Sequence, residues 1–390
     1  MKIIESEKQY IYLDYAATTP VDPEVLASMQ SFYNTEYANA SSVHSMGHTA
    51  RRAIDESRDT VAGILNCRSS EVVFTNGGTE SVNIALLGAA RAKGSGHIIT
   101  STIEHAAVLD SCKQLEKEGY SVTYISPEEN GIVSVDQVMD AMQEDTILVS
   151  VMLANNEIGT LQSVKEIVTA VKTEREDIII HTDACQATGA VSVDVQELGV
   201  DMMTINAGKI YGPKGMGALY IKKGVQLQPI LFGGGQERRL RPGTENVSGI
   251  VGFAKAITLA EDRRKEGSIL EYIRQLRDQL VEGLLQNIPG AILNGDAELR
   301  LPNNANIYIP GVDGDTLLLA LDQAGIQVSL GSACAAGSVE PSHVLLALGY
   351  TKQDARRSIR FSLGKNTTAE EIERVIKKVP EIVSRLQKMY

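Results

Sequence analysis

Between Val72 and Ile221 short apolar runs alternate with amphipathic stretches of helical period, and this alternation restricts the fold more than any other feature of the chain. Glu71–Thr75, His97–Ser101, Val122–Ile125, Thr146–Met152, Ile178–Thr182 and Asp201–Ile205 read as strands. Helices are predicted over Thr49–Asn66, from the glycine turn after Thr75 to about Lys93, from His105 onward, and over Ser163–Arg175. Such a pattern predicts an α/β fold with a largely parallel sheet covered on both faces. Ligands of such sheets bind at the carboxyl ends of the strands. Thr79, His105, Asn156, Asp183 and Lys209 all fall at such ends, and their joint placement weighs more than any one of them.

Two strand ends carry the most chemistry. Asp201–Ile205 runs through Asn206-Ala207-Gly208 to Lys209 and then into Gly212-Pro213-Lys214-Gly215-Met216-Gly217. A lysine amine held in a backbone-lined space forms Schiff bases with aldehydes. Ile178–Thr182 ends in the Asp183 carboxylate. A lysine at one strand end and a carboxylate at another suit pyridoxal phosphate, the lysine binding the aldehyde and the carboxylate keeping the pyridine nitrogen protonated. The glycine run reads G-x-x-G-x-G, not a dinucleotide fingerprint, and Gly208-Lys209 lacks the upstream glycine of a P-loop.

The strand at Glu71–Thr75 leads into Asn76-Gly77-Gly78-Thr79-Glu80-Ser81 and a helix. Free N–H groups and the helix dipole favour an anion there, although Thr79 as a plain N-cap fits equally well. His105 opens a helix close to a strand end, where its ring lies over a flat cofactor or moves protons, or serves only the structure. Asn156 offers an amide to a phenolic oxygen, or marks a turn. His44 and His48 have i, i+4 spacing, but Gly47 lies between them and no acidic residue sits beside them, so a substrate-facing loop is favoured over a metal site. The arginines of Arg238-Arg239-Leu240-Arg241, in a flexible basic turn before a long helix, suit an anion or an interface.

From about Arg263 long charged helices alternate with short strands such as Ala305–Ile309. This places a large domain over residues 21–262 and a smaller α+β domain over residues 1–20 and 263–390. Cys334 lies in Gly331-Ser332-Ala333-Cys334-Ala335-Ala336-Gly337-Ser338, whose small residues supply little apolar area. The segment reads as a mobile loop with an accessible thiol, the setting of a nucleophile, or as an incidental exposed cysteine. Arg360, in the strand Ser358–Leu363, is placed to clamp a substrate carboxylate or to form a surface ion pair.

The net charge of -12, without a long charge run, argues against nonspecific nucleic-acid binding and attraction to anionic membranes. No apolar run approaches transmembrane length, and Met1–Tyr10 has no signal-peptide core. The four cysteines form no C-x-x-C, so neither a disulfide framework nor a zinc site is expected, and a reducing cytoplasm is the default location.

From Tyr12-Leu13-Asp14-Tyr15-Ala16-Ala17-Thr18-Thr19 to Arg360 the chain resembles cysteine desulfurases of the NifS/IscS family, which are fold-type I pyridoxal-phosphate enzymes. Gly331-Ser332-Ala333-Cys334 is similar to the family's longer-loop group, and Ser41-Ser42-Val43-His44-Ser45-Met46-Gly47 to its NifS branch. The resemblance implies that Lys209 bonds the cofactor aldehyde, Asp183 pairs with the pyridinium, and His105 stacks on the ring and moves protons. It assigns the ring oxygen to Asn156 and Gln186 and the phosphate to Gly78 and Thr79, with Asn206 donating a hydrogen bond and Thr244 reaching in from the partner of a homodimer. Asn39 and Arg360 would bind the substrate carboxylate. The implied reaction removes sulfur from L-cysteine, leaving L-alanine and a persulfide on Cys334. The sulfur would pass to an iron–sulfur scaffold, a tRNA-thiolation protein or another carrier, Cys334 contacting a transferred iron–sulfur cluster only in passing. Two departures stand out: Gly208 replaces a histidine that would contact phosphate, and Ala40 stands where proline is common. A pyridoxal-phosphate aminotransferase or a selenocysteine lyase would share Lys209 and Asp183 without needing Cys334, and a catalytically silent assembly partner is favoured by Gly208 alone.

Overall fold

The computed structural model describes residues 10–330 and 341–388. Its strands are β1 (Ile11–Tyr12), β2 (Val72–Thr75), β3 (His97–Ser101), β4 (Ser121–Ile125), β5 (Thr146–Ser150), β6 (Ile179–Asp183), β7 (Met202–Asn206), β8 (Gly217–Ile221), β9 (Ile292–Leu293), β10 (Asn304–Tyr308), β11 (Ile326–Gln327) and β12 (Ser358–Ser362). Seven of them form one sheet in the order β2-β8-β7-β6-β5-β3-β4. From β7 to β4 all neighbours pair in parallel, as the strand–helix alternation predicts. β8 runs antiparallel to both β2 and β7. The cause is local: the link from Asn206 to Gly217 holds only a short 3-10 turn, so the chain doubles back where a parallel return needs a longer crossover.

Both faces of the sheet are buried, so its strands read as continuous apolar runs. Consecutive residues divide between the faces, as a period of two requires. Ile98, Ile179 and Met202 pack with Val82 and Leu86 of helix Gly78–Lys93. Ile99, Ile180 and Met203 pack on the other side with Ile54 of helix Ser45–Leu65 and Phe253 of helix Val247–Glu266.

A second apolar core surrounds the antiparallel sheet β12-β10-β9. Ile359 and Phe361 pack there with Leu280 and Leu284 of helix Ser268–Asn287 and Val375 and Val379 of helix Ala369–Gln387. Ile11 and Leu13 join this core, and β1 pairs in parallel with β11. Gly267, in the left-handed region at φ 78°, turns the chain from helix Val247–Glu266 into helix Ser268–Asn287.

One helix starts earlier than its sequence predicts. It begins at Ser45 rather than Thr49, because His44 caps it, Nδ1 accepting the Gly47 N–H at 3.2 Å. Gly47 is thus a helical residue, and a Cβ there would lie 2.2 Å from the Ser42 carbonyl oxygen. The basic turn is also anchored: Glu237 is buried and accepts two hydrogen bonds from Arg58 and one from the Phe74 N–H.

Candidate active site

The site grows from the exits of β6 and β7, neighbouring parallel strands in which Asp183 stands opposite Thr204. Asp183 ends β6, and its Oδ1 accepts the Cys185 N–H at 2.9 Å, which fixes the carboxylate at the strand exit. Beyond β7 the turn Ala207–Lys209 is held without help from a side chain at 208. Asn206 Oδ1 accepts the Gly208 N–H at 3.0 Å, and Thr19 donates to the Gly208 carbonyl oxygen through both its N–H and its hydroxyl, each at 3.1 Å. Lys209 Nζ donates to the carbonyl oxygens of Ala16 at 2.8 Å and Ala17 at 2.6 Å. Gln186 Nε2 donates to the same Ala16 oxygen at 2.9 Å, so Lys209 and Gln186 converge on one atom.

Helix Gly78–Lys93 begins beside these exits. Its N-cap is Gly77 at φ 113°, without a side-chain hydrogen bond, and Thr79 is exposed in the first turn. The N-cap alternative for Thr79 is therefore set aside. A Cβ on Gly78 would lie 2.8 Å from Cys185 Sγ and 3.8 Å from Asn206 Nδ2. The helix start thus abuts the turns after β6 and β7 and brings uncapped N–H groups and the positive end of the helix dipole to them. An anion cradle, an amine and a carboxylate in one place fit the phosphate, aldehyde and ring nitrogen of pyridoxal phosphate. Cavity volume alone does not single the site out. A groove of about 540 Å³ is lined by Arg51, Arg58 and Glu245, whereas the cavity against Lys209 and Gln186 measures about 80 Å³.

His105 is the N-cap of helix Ala106–Lys117, its Nδ1 accepting the Ala107 N–H at 3.1 Å, which leaves Nε2 as its other polar atom. Arg360 reaches in from β12 and is only 2% exposed, so it is not a surface ion-pair residue. Its Nη1 donates to the Asn156 carbonyl oxygen at 2.9 Å and its Nη2 to Asp14 Oδ1 at 2.8 Å. The structure therefore joins Lys209 to Gln186 and Arg360 to Asn156. It does not join Asn39 to them: this residue is exposed, and its Oδ1 accepts the Ser41 N–H of its own loop at 2.8 Å. Thr244 is exposed on the segment between Arg241, which pairs with Glu80, and the buried Glu245. Cys334 lies outside the described residues.

Sequence reasoning missed several contributors. Asp14, Ala16, Ala17 and Thr19 carry the site's backbone and ionic anchors, and three of these contacts involve main-chain oxygens that residue type does not reveal. Glu104 and Glu157, each next to a predicted site residue, are 0% and 2% exposed. Glu157 accepts from the Ser342 hydroxyl at 2.5 Å, and burial pushes its carboxyl above the ordinary range. Burial likewise pushes Glu104 up to about 8. Beneath Asp183, His181 bridges Ser150 Oγ at 2.9 Å and Thr204 Oγ1 at 3.0 Å, and burial holds its imidazole down at about 4, hence neutral. Burial, with the Asp183 charge second, raises the Cys185 thiol well above its usual value, so it is no thiolate.

The chain is similar end to end to known proteins. Residues 11–375 match the family described as Aminotransferase class-V. "Cysteine desulfurase IscS" of Clostridium botulinum (strain Hall) is 46% identical over 383 residues, covering 97% of this chain and 96% of that protein. The protein of the same name from Methanosarcina thermophila is 46% identical, covering 99% and 95%. Among solved structures, a "NifS-like protein" superposes with a TM-score of 0.90 at 39% identity, covering 97% of this chain and all of that one. A structure described as "SspA in complex with cysteine" superposes with a TM-score of 0.79 at 35% identity, covering 92% and 99%. Identity of this extent, end to end and in both sequence and fold, establishes that the chain belongs to the class-V aminotransferase family, among its IscS-type cysteine desulfurases.

Proposed function

We propose that this protein is a pyridoxal-phosphate-dependent cysteine desulfurase that converts L-cysteine to L-alanine and carries the sulfur away on Cys334. The observation that carries the reading is the pairing of Asp183 and Lys209 at the exits of adjacent strands, with the Lys209 amine and the Gln186 amide meeting at the Ala16 carbonyl. Pyridoxal phosphate bound there supplies an electron sink for the substrate's α-carbon.

The chain's own groups do the rest. Lys209 Nζ would hold the aldehyde and, as the amine, supply the base for the substrate's α-proton. Asp183 would set its negative charge against the ring nitrogen, and His105 would face the ring and move protons through Nε2. Gly78, Thr79 and Asn206 hold the phosphate, with Thr244 contributed by the partner of a homodimer. Asn156 and Gln186 hold the ring oxygen. Arg360 orients the substrate carboxylate with a planar fork of donors, aided by Asn39. The Cys334 thiolate attacks the substrate sulfur: the new S–S bond forms as the carbon–sulfur bond breaks, the electron pair goes to carbon, and alanine leaves after protonation. An acceptor thiolate then takes the outer sulfur as the Cys334 thiolate leaves, the acceptor being an iron–sulfur scaffold or a tRNA-thiolation enzyme in the cytoplasm.

The test is to add L-cysteine, without reductant, to the pyridoxal-phosphate-loaded protein and record an intact mass mapped to peptides. One added sulfur on Cys334, with alanine released and both lost in Cys334→Ser, is the expected result. A bleached cofactor or a keto acid without added sulfur would move the assignment to an aminotransferase.

A further inference from the structure

We propose that Glu104 is a positioning residue of this site and works there as the neutral acid, tying the carboxyl ends of β3 and β5 together so that His105 is held while Asp183 remains the single acidic charge beside the ring. The inference rests on the cofactor reading above and deepens it.

The geometry assigns the proton. Glu104 is fully buried. Its Oε1 accepts from the Ser101 hydroxyl at 2.8 Å, at the end of β3, and from the Met152 N–H at 2.9 Å, just beyond β5. Its Oε2 is buried without a hydrogen-bond partner. An ionised carboxylate spreads its charge over both oxygens, and an oxygen without a donor in this setting is costly. The neutral acid carries its hydrogen on Oε2, and a lone buried hydroxyl costs less than an ionised oxygen without a donor. The titratable groups facing Glu104 among the described residues do not all act alike. They are His105 beside it, Asp183 from β6, Cys112 from helix Ala106–Lys117, and His343, whose Nε2 donates to the Glu104 carbonyl oxygen at 2.9 Å. None is a lysine or arginine, and burial holds the Cys112 thiol up at about 12, hence uncharged. Burial foremost pushes the Glu104 carboxyl up to about 8, outweighing the hydrogen bonds from Met152 and Ser101, which lower it; the Asp183 charge adds to burial and His105 opposes it.

The position explains the need. His105 follows Glu104 directly and caps the next helix, so the clamp from Ser101 to Met152 sets where that helix and its capping ring begin. A charge on Glu104 would set a second anion near Asp183, and the two like charges would repel.

The test compares wild type, Glu104→Gln and Glu104→Ala in apo- and pyridoxal-phosphate-loaded full chain. Glutamine keeps an acceptor oxygen and cannot ionise. In the apo-protein the folded state keeps a proton that the unfolded state releases, so this contribution to stability is lost as pH rises from 4.5 to about 8. The wild-type melting temperature is expected to fall across that window relative to Glu104→Gln. In the loaded protein Glu104→Ala is expected to lower kcat about tenfold with KM within about threefold, and Glu104→Gln to recover most of the loss and the alkaline end of the pH profile. Parallel melting curves for wild type and Glu104→Gln, or Glu104→Gln as impaired as Glu104→Ala, would overturn the proposal. The apo curves of Glu104→Gln decide the neutral state even if Glu104→Ala fails to fold. A wild-type chain that takes up no pyridoxal phosphate would instead overturn the cofactor reading, and the positioning role with it.

Discussion

Asp14 and Arg360 form an ion pair at 2.8 Å that ties the segment after β1 to β12. Two residues further on, the same segment presents the Ala16 carbonyl to Lys209 and Gln186. One short strip of chain therefore positions both the amine and the guanidinium of the site. Arg360 is almost wholly buried, whereas Asp14 is about one-fifth exposed, so the pair keeps one partner within reach of water.

This arrangement predicts that Asp14→Asn raises the KM for L-cysteine about tenfold with a smaller change in kcat, since the guanidinium loses its orienting charge. Asp14→Ala leaves a buried cation without its anion and is expected to cost about 2–3 kcal/mol in urea unfolding. An unchanged KM in both variants would remove Arg360 from substrate binding, or Asp14 from holding it.

Gly78 is required by Cys185. Gly78→Ala would set a methyl group 2.8 Å from Cys185 Sγ, which is nearly buried. The expected loss is about 1–3 kcal/mol with weakened pyridoxal-phosphate binding, because the helix start must shift. Cys185→Ala in the same chain should recover most of it, giving a coupling of about 1 kcal/mol or more in a double-mutant cycle. Additive effects would show that the cradle is not set by this contact.

Gly208 is free of such constraint. Its φ lies outside the left-handed region, and a Cβ there would come no closer than 3.5 Å to Asn206 Oδ1. Gly208→Ala is expected to stabilise the protein by about 0.4–1 kcal/mol, chiefly by restricting the unfolded chain. Gly208→His should be tolerated and tighten pyridoxal phosphate about threefold or more, by adding a donor at the phosphate. Equilibrium dialysis of the cofactor and urea unfolding check both expectations.

His181 predicts an acid limb to stability. Its folded value is held down at about 4 against the ordinary 6.5, so its contribution is present above 6.5 and lost as pH falls toward 4. The amount is about 3 kcal/mol. Urea unfolding of the apo-protein at about pH 7 and about pH 5 should show about 2 kcal/mol of this loss in wild type and less in His181→Gln. Equal losses would mean that other groups carry the acid sensitivity.

Much of the fold was legible because periodicity reports burial. The alternation at Ile98 and Ile99, or at Ile179 and Ile180, follows from two covered faces, and the strand ends that carry His105, Asp183 and Lys209 follow from it. The reversal of β8 was less legible, since it depends on a link too short to cross over. The start of helix Ser45–Leu65 was hidden for a similar reason: the capping role of His44 is a matter of backbone geometry at one residue.

The sequence by itself determined the chemistry on offer: a lysine, a carboxylate and a glycine-led helix start at three strand ends, and the thiol of Cys334. Those are properties of residue type and spacing, which pattern carries. Only the tertiary structure decided which groups meet. The Ala16 carbonyl that gathers Lys209 and Gln186, the partnership of Asp14 with Arg360 across 346 residues, and the burial that keeps Glu104 neutral all arise from distant segments packing together. Main-chain oxygens look alike in every residue, and a carboxyl's proton depends on what surrounds it, so neither can be read from the order of amino acids alone.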